Sequence, residues 1–87
     1  IFGLTAALKD PITFNNGAAQ QSNFHDYRML RINESPKDIQ IHIMENDEAP
    51  GGMGEPGLPP IAPALTNAVF DLTGNRIRKL PFDLQEI

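Results

Sequence analysis

Apolar positions recur along the chain with two periods, and the switches between them mark out the predicted elements. Ile1, Leu4, Ala7 and Leu8 fall on one helical face, and Lys9-Asp10-Pro11 stops a helix there, so residues 1–8 read as the end of a helix. Ile12-Thr13-Phe14 and Ala18 to Ser22 flank Asn15-Asn16-Gly17, whose Asn and Gly accept the positive φ that a tight β-hairpin requires. Asn23 to Arg31 mixes aromatic and charged residues without a clean period, which fits an extended connection with one buried side. From Asp38 to Met44, Ile39, Ile41 and Ile43 alternate with Gln40 and His42, the period of a half-buried strand. Glu45 to Pro60 is acidic, then rich in Gly and Pro, and reads as loop. Helical spacing returns with Ile61, Ala64, Leu65, Ala68, Val69 and Leu72, and Gly74 stands where a residue past the helix end would stop it. Pro59, Pro60 and Pro63 suit the first turn, whose N–H groups lack intrahelical partners. The expected fold is therefore a small α+β fragment: a helix end, a β-hairpin, a further strand, and a C-terminal helix packed on the sheet.

Composition narrows what such a chain can do. Its 87 residues allow one small domain burying about 60 to 65% of its unfolded surface, and eight Pro with seven Gly leave little room for long elements. No cysteine is present to form a disulfide, a thiolate metal site or an iron–sulfur ligand. A net charge of −4 argues against a nucleic-acid surface, which needs clustered Lys and Arg. No apolar run approaches the ~20 residues of a membrane-spanning helix. The chain opens at Ile1 in what reads as the middle of an amphipathic element, and is expected to be a piece of a longer polypeptide. The apolar faces of 1–8 and 61–72 then expect partners, and self-association is one way to cover them.

Most chemistry-bearing residues stand alone. His25 and His42 lack the further ligands of a metal site, and Ser22, Ser35 and the threonines lack a nucleophile elbow. Glu45, Asp47 and Glu48 do not match a calcium loop and read as a solvated acidic turn. Arg76, Arg78 and Lys79 follow a helix, where they complement its negative end more simply than they grip an anion.

The run GGMGEPGLPP, residues 51–60, differs in kind. Gly51, Gly52 and Gly54 let backbone approach a bulky ligand and leave N–H groups unshielded, while Pro56 restricts Glu55 toward extended backbone. The helix N-terminus that follows adds a positive end to the local field. The arrangement suits a positioned general base, although on residue types alone a turn with a solvated Glu is the commoner outcome.

The wording of the sequence carries more than its types. GGMGEPGLPPIAPALTNAVFDLTGNRIRKLP, preceded by QSNFHDYRMLR, resembles the C-terminal end of the molybdenum-binding large subunits of the xanthine dehydrogenase and aldehyde oxidoreductase family, in particular the isoquinoline 1-oxidoreductase β-subunit branch. The likeness runs from about Ile1 to Phe82, and its specific parts are the G-x-G-E-P core and the A-x-x-N-A-V-F helix. It implies that residues 1–87 are the C-terminal part of a molybdopterin-binding domain. It further implies that Glu55 is the base acting on a water-derived oxygen that attacks an electron-poor carbon of an N-heteroaromatic compound or aldehyde, with hydride passing to the molybdenum centre. Met53 and Gly54 match residues that wall the metal, and Gly51 and Gly52 match the close backbone approach before it.

The same likeness implies a molybdopterin cytosine dinucleotide, an iron–sulfur partner subunit with 2Fe–2S clusters, the remainder of the large subunit as a further partner, and a small-molecule substrate. Related enzymes include periplasmic and cytoplasmic members, so location stays open. Eighty-seven residues cannot enclose a dinucleotide cofactor, and the chain by itself is expected neither to bind it nor to turn over substrate. The alternative is a non-catalytic α+β interaction module whose Gly/Pro loop is structural.

Overall fold

A computed structural model describes all 87 residues. The first helix, α1 (Phe2–Leu8), is too short to be stable by itself and stops at Lys9, whose extended backbone continues toward Pro11. Tertiary bonds secure it. Thr5 is buried, and its Oγ1 accepts from the Leu30 N–H at 3.2 Å, tying α1 to a segment 25 residues away. The Ala7 carbonyl accepts from the Phe82 N–H at 3.0 Å, which docks the C-terminal stretch on the same helix end.

The hairpin forms where Asn-Gly places it. β1 (Phe14–Asn15) pairs antiparallel with β2 (Ala18–Ala19), Phe14 opposite Ala19 and Asn15 opposite Ala18. Asn16 and Gly17 take φ of 49° and 79°, the two successive positive values of a type I′ turn. Thr13 and Gln21 extend the pairing: the Thr13 N–H donates to Gln21 Oε1 at 2.8 Å, and Gln21 Nε2 donates to Thr13 Oγ1 at 2.9 Å.

The second helix, α2 (Ile61–Thr73), ends as its sequence requires. Gly74 adopts φ 75° and donates its N–H to the Phe70 carbonyl at 2.7 Å. Two short 3₁₀ turns, Ile32–Glu34 and Leu84–Glu86, complete the elements.

Two expectations about the layers fail. The C-terminal helix packs on α1, not on the sheet. At Gly3 a Cβ would overlap Ile61 Cγ2 and touch Leu58, so the missing side chain lets the helices close on one another, whereas the hairpin strands are two residues long and exposed. The further strand is also absent: residues 38–44 hold no regular structure, and the sheet consists of β1 and β2 alone. Alternation states which face must be buried, but a strand exists only when its backbone finds a partner, and these 87 residues provide none.

The chain does not bury a core of ordinary size. Only Thr5, Ala7 and Val69 are buried. The accessible surface is 7755 Å², against about 5,100 Å² for a compact monomer of this mass. The radius of gyration is 16.0 Å, against about 12 Å for a compact domain of this length. No helix is long and apolar enough to cross a membrane.

Candidate functional site around Glu55

Two turns in series carry the chain from Glu55 into α2. The Leu58 N–H donates to the Glu55 carbonyl at 3.0 Å, and the Ile61 N–H donates to the Leu58 carbonyl at 3.4 Å. Pro56 and Gly57 are the central residues of the first turn. Pro56 has its φ fixed by the ring, and Gly57 does not take the positive φ of a type II turn, so the turn is of type I. Leu58 and Ile61 then rest over Gly3 of α1. The carboxylate-bearing residue is thus the first residue of a braced corner, and α1 and α2 are its footing.

The glycines of the loop have open space where a side chain would stand. Gly51, Gly52, Gly54 and Gly57 have no atom within 4 Å of where a Cβ would stand, and none has left-handed backbone. Neither local packing nor backbone conformation therefore demands glycine here. The N–H groups of residues 51–55 donate to no backbone atom of the chain, and Met53 is 89% exposed. Gly52, Gly54, Glu55, Pro56 and Pro59 line an open concavity of about 420 Å³. The structure brings Gly52, Gly54 and Glu55 together there; Gly51 and Met53 are not part of its lining.

This donor set fits one wall of a pterin or dinucleotide site. It presents unpaired peptide N–H groups with no side chain in front of them, beside one carboxylate. The remaining walls are not formed by these residues. No group of three or more His, Cys, Asp or Glu side chains is placed to hold a metal ion.

The other candidates resolve into structural roles. His25 Nε2 lies 3.6 Å from Asp26, whose carboxylate closes a turn by accepting from the Ser22 N–H at 2.9 Å, the Asn23 N–H at 2.9 Å and Ser22 Oγ at 3.1 Å. The backbone bonds from Asn23 and Ser22 hold the Asp26 carboxyl below its usual range. His42 lies in the irregular, exposed 38–44 segment. Arg76 turns back on α2: its guanidinium stacks 3.4 Å over the Phe70 ring and donates to Asn67 Oδ1 at 3.0 Å, which accounts for it without an anion.

One cluster was not legible in the sequence. Glu34 Oε1 accepts from Lys9 Nζ at 2.6 Å and from Arg28 at 2.8 Å, while Oε2 accepts from the Arg31 N–H at 2.9 Å. The Lys9 ammonium and the Arg31 N–H keep its carboxyl below the ordinary range. The cluster lines a cleft of about 660 Å³ with Pro81 to Glu86, apart from the Glu55 loop. Lys9 and Glu34 are 25 residues apart, and no local spacing joins them.

Over 81 residues the chain is 43% identical to the beta chain of isoquinoline 1-oxidoreductase from Brevundimonas diminuta, a match covering 93% of the chain and 10% of that protein. It is 35% identical over 81 residues to the membrane-bound aldehyde dehydrogenase (pyrroloquinoline-quinone) of Gluconacetobacter polyoxogenes, covering 93% and 10% respectively. To a nicotinate dehydrogenase subunit from Pseudomonas putida it is 31% identical over 80 residues, covering 92% and 7%. No family model and no solved structure matches. The chain spans about a tenth of the length of the curated relatives it matches. Each of those relatives is, by its name, an oxidoreductase or a subunit of one. These likenesses run over nearly the whole chain and agree with the family its wording resembles, the large subunits of xanthine dehydrogenase and aldehyde oxidoreductase type.

Proposed function

We propose that residues 1–87 form the C-terminal part of the molybdopterin-binding domain of a molybdenum hydroxylase, with Glu55 as its general base. One observation carries the reading: a run of peptide N–H groups without acceptors, fronted by glycines that nothing in the chain requires, leads into a carboxylate-bearing corner braced on two helices. When bound, the molybdenum–pterin cytosine dinucleotide would supply the redox centre that takes two electrons from the substrate carbon. The backbone of Gly51 and Gly52 would approach that group closely, and Met53 and Gly54 would wall the metal side. Glu55 accepts at its carboxylate the proton of the water-derived oxygen that attacks an electron-poor carbon. The type I turn holds the backbone of Glu55 in place, so the residue that carries the carboxylate need not be repositioned at the moment of transfer.

Relatives named for isoquinoline, an aldehyde and nicotinate support an N-heteroaromatic compound or an aldehyde as substrate. One of those names carries pyrroloquinoline-quinone, and metal analysis is therefore part of the test. Electrons would leave through 2Fe–2S clusters on a partner subunit, because this chain has no Cys to ligate them.

Glu55→Gln in the complete enzyme tests the reading. Molybdenum content should stay at the wild-type level while kcat falls by several orders of magnitude. Near-normal kcat would overturn the role of Glu55, and a wild-type enzyme without molybdenum would overturn the cofactor.

A further inference from the structure

The segment Asp38–Met44 combines two properties that do not belong together in a finished protein. Ile39, Ile41 and Ile43 alternate with Gln40 and His42, yet Ile41 and Ile43 are 78% and 85% exposed. No backbone N–H or C=O between residues 38 and 44 bonds to another backbone group of the chain. Three β-branched residues on one side and an unsatisfied ladder edge are what a strand offers before its neighbour arrives.

Building on the proposed function, we infer that Asp38–Met44 becomes a β-strand by pairing with a strand edge of the remainder of the large subunit, packing Ile39, Ile41 and Ile43 onto an apolar layer there. Three observations select that occupant. The chain spans about a tenth of its relatives' length, so most of a large subunit lies outside these residues. The 7755 Å² of accessible surface exceeds that of a compact chain by about 2,600 Å², more than a standard protein–protein interface buries in total, as expected of a piece cut from a common core. The segment also leads directly into the loop that ends at Glu55, whose other end is already fixed through Leu58 and Ile61 on α1. Pairing at 38–44 fixes the loop from its open side. Ile39, Ile41 and Ile43 are then positioning residues, acting on Glu55 through the backbone between them.

Hydrogen exchange on the complete enzyme reads the pairing directly. Amides of residues 38–44 should exchange on the order of a hundredfold more slowly than the same sequence in an unstructured peptide. Exchange at the unstructured rate would overturn the inference, and protection that vanishes on dilution would overturn it in favour of a second copy of the chain. Kinetics read the positioning. Ile41→Asn should lower kcat about tenfold or more with KM little changed and shift the acid limb of the pH profile. Ile41→Val should restore both, and Gln40→Asn, on the opposite face, should leave both unchanged. Loss of activity in Ile41→Asn without recovery in Ile41→Val would refute the positioning role. Amide protection does not depend on Glu55, so slow exchange together with an active Glu55→Gln enzyme would leave the strand standing and remove only the proposed base.

Discussion

Gly3 of α1 sits directly beneath Ile61, the first residue of α2, at a distance that excludes a Cβ. This contact sets the spacing of the two helices and thereby the footing of the corner that carries Glu55. Gly3→Ala would gain up to about 1 kcal/mol of helix propensity. It would lose about 1 to 3 kcal/mol to overpacking against a branched side chain that has little freedom to turn aside. The clash wins, so the complete subunit should be destabilised in thermal unfolding, and Ile61→Ala in the same chain should recover part of the loss.

Thr5 supplies the one side-chain acceptor that joins α1 to the 27–31 segment. Thr5→Val keeps the shape and removes the acceptor, which leaves the Leu30 N–H without its partner. The expected cost is about 1 to 3 kcal/mol in denaturant unfolding of the complete subunit. Thr66→Val, which removes a hydroxyl bonded only to the Pro63 carbonyl of its own helix, should cost well under that.

The glycines of the loop allow opposite expectations for stability and cofactor. Gly52→Ala and Gly54→Ala meet no atom of the chain and no left-handed backbone, so they should leave the folding of α1 and α2 unchanged. In the complete enzyme they should reduce molybdenum and pterin content, measured by elemental analysis and released pterin. Full occupancy with wild-type activity would favour the loop as a purely structural turn.

Glu34 ties stability to acid pH. Its carboxyl is held below its ordinary 4.5 by Lys9 and the Arg31 N–H. The folded state therefore binds the proton less readily than the unfolded state. The contribution is complete above the ordinary carboxylate range and is lost as pH falls through the depressed folded value. The melting temperature of the wild type should drop more steeply below pH 4.5 than that of Glu34→Gln, and parallel curves would show that the ion pairs contribute nothing.

Local signals were the readable ones. The Asn16-Gly17 turn, the stop of α1 before Pro11 and the Gly74 end of α2 each depend on the φ that one or two residues accept, and each stands where the sequence puts it. What required distant partners was not readable. The pattern at 38–44 specifies a strand whose neighbour is missing from these residues, and the glycine that draws α2 onto α1 looks in sequence like any helix glycine. Lys9, Arg28 and Glu34 meet only because Thr5 and the 27–31 segment bring them together. At the site, sequence wording singled out Glu55 and its glycines, whereas the open space in front of them is a property of the folded loop.

The paired turns between Glu55 and Ile61 work as a short mechanical linkage. The Glu55 carbonyl is held by the Leu58 N–H, and the Leu58 carbonyl by the Ile61 N–H at the start of α2, so a shift of α2 along α1 carries the backbone of Glu55 with it. Substitutions at Ala62, Leu65 or Val69, none of them in the loop, thereby acquire a route to the position of Glu55. Variation along that helix can reposition Glu55 without altering the loop that holds it.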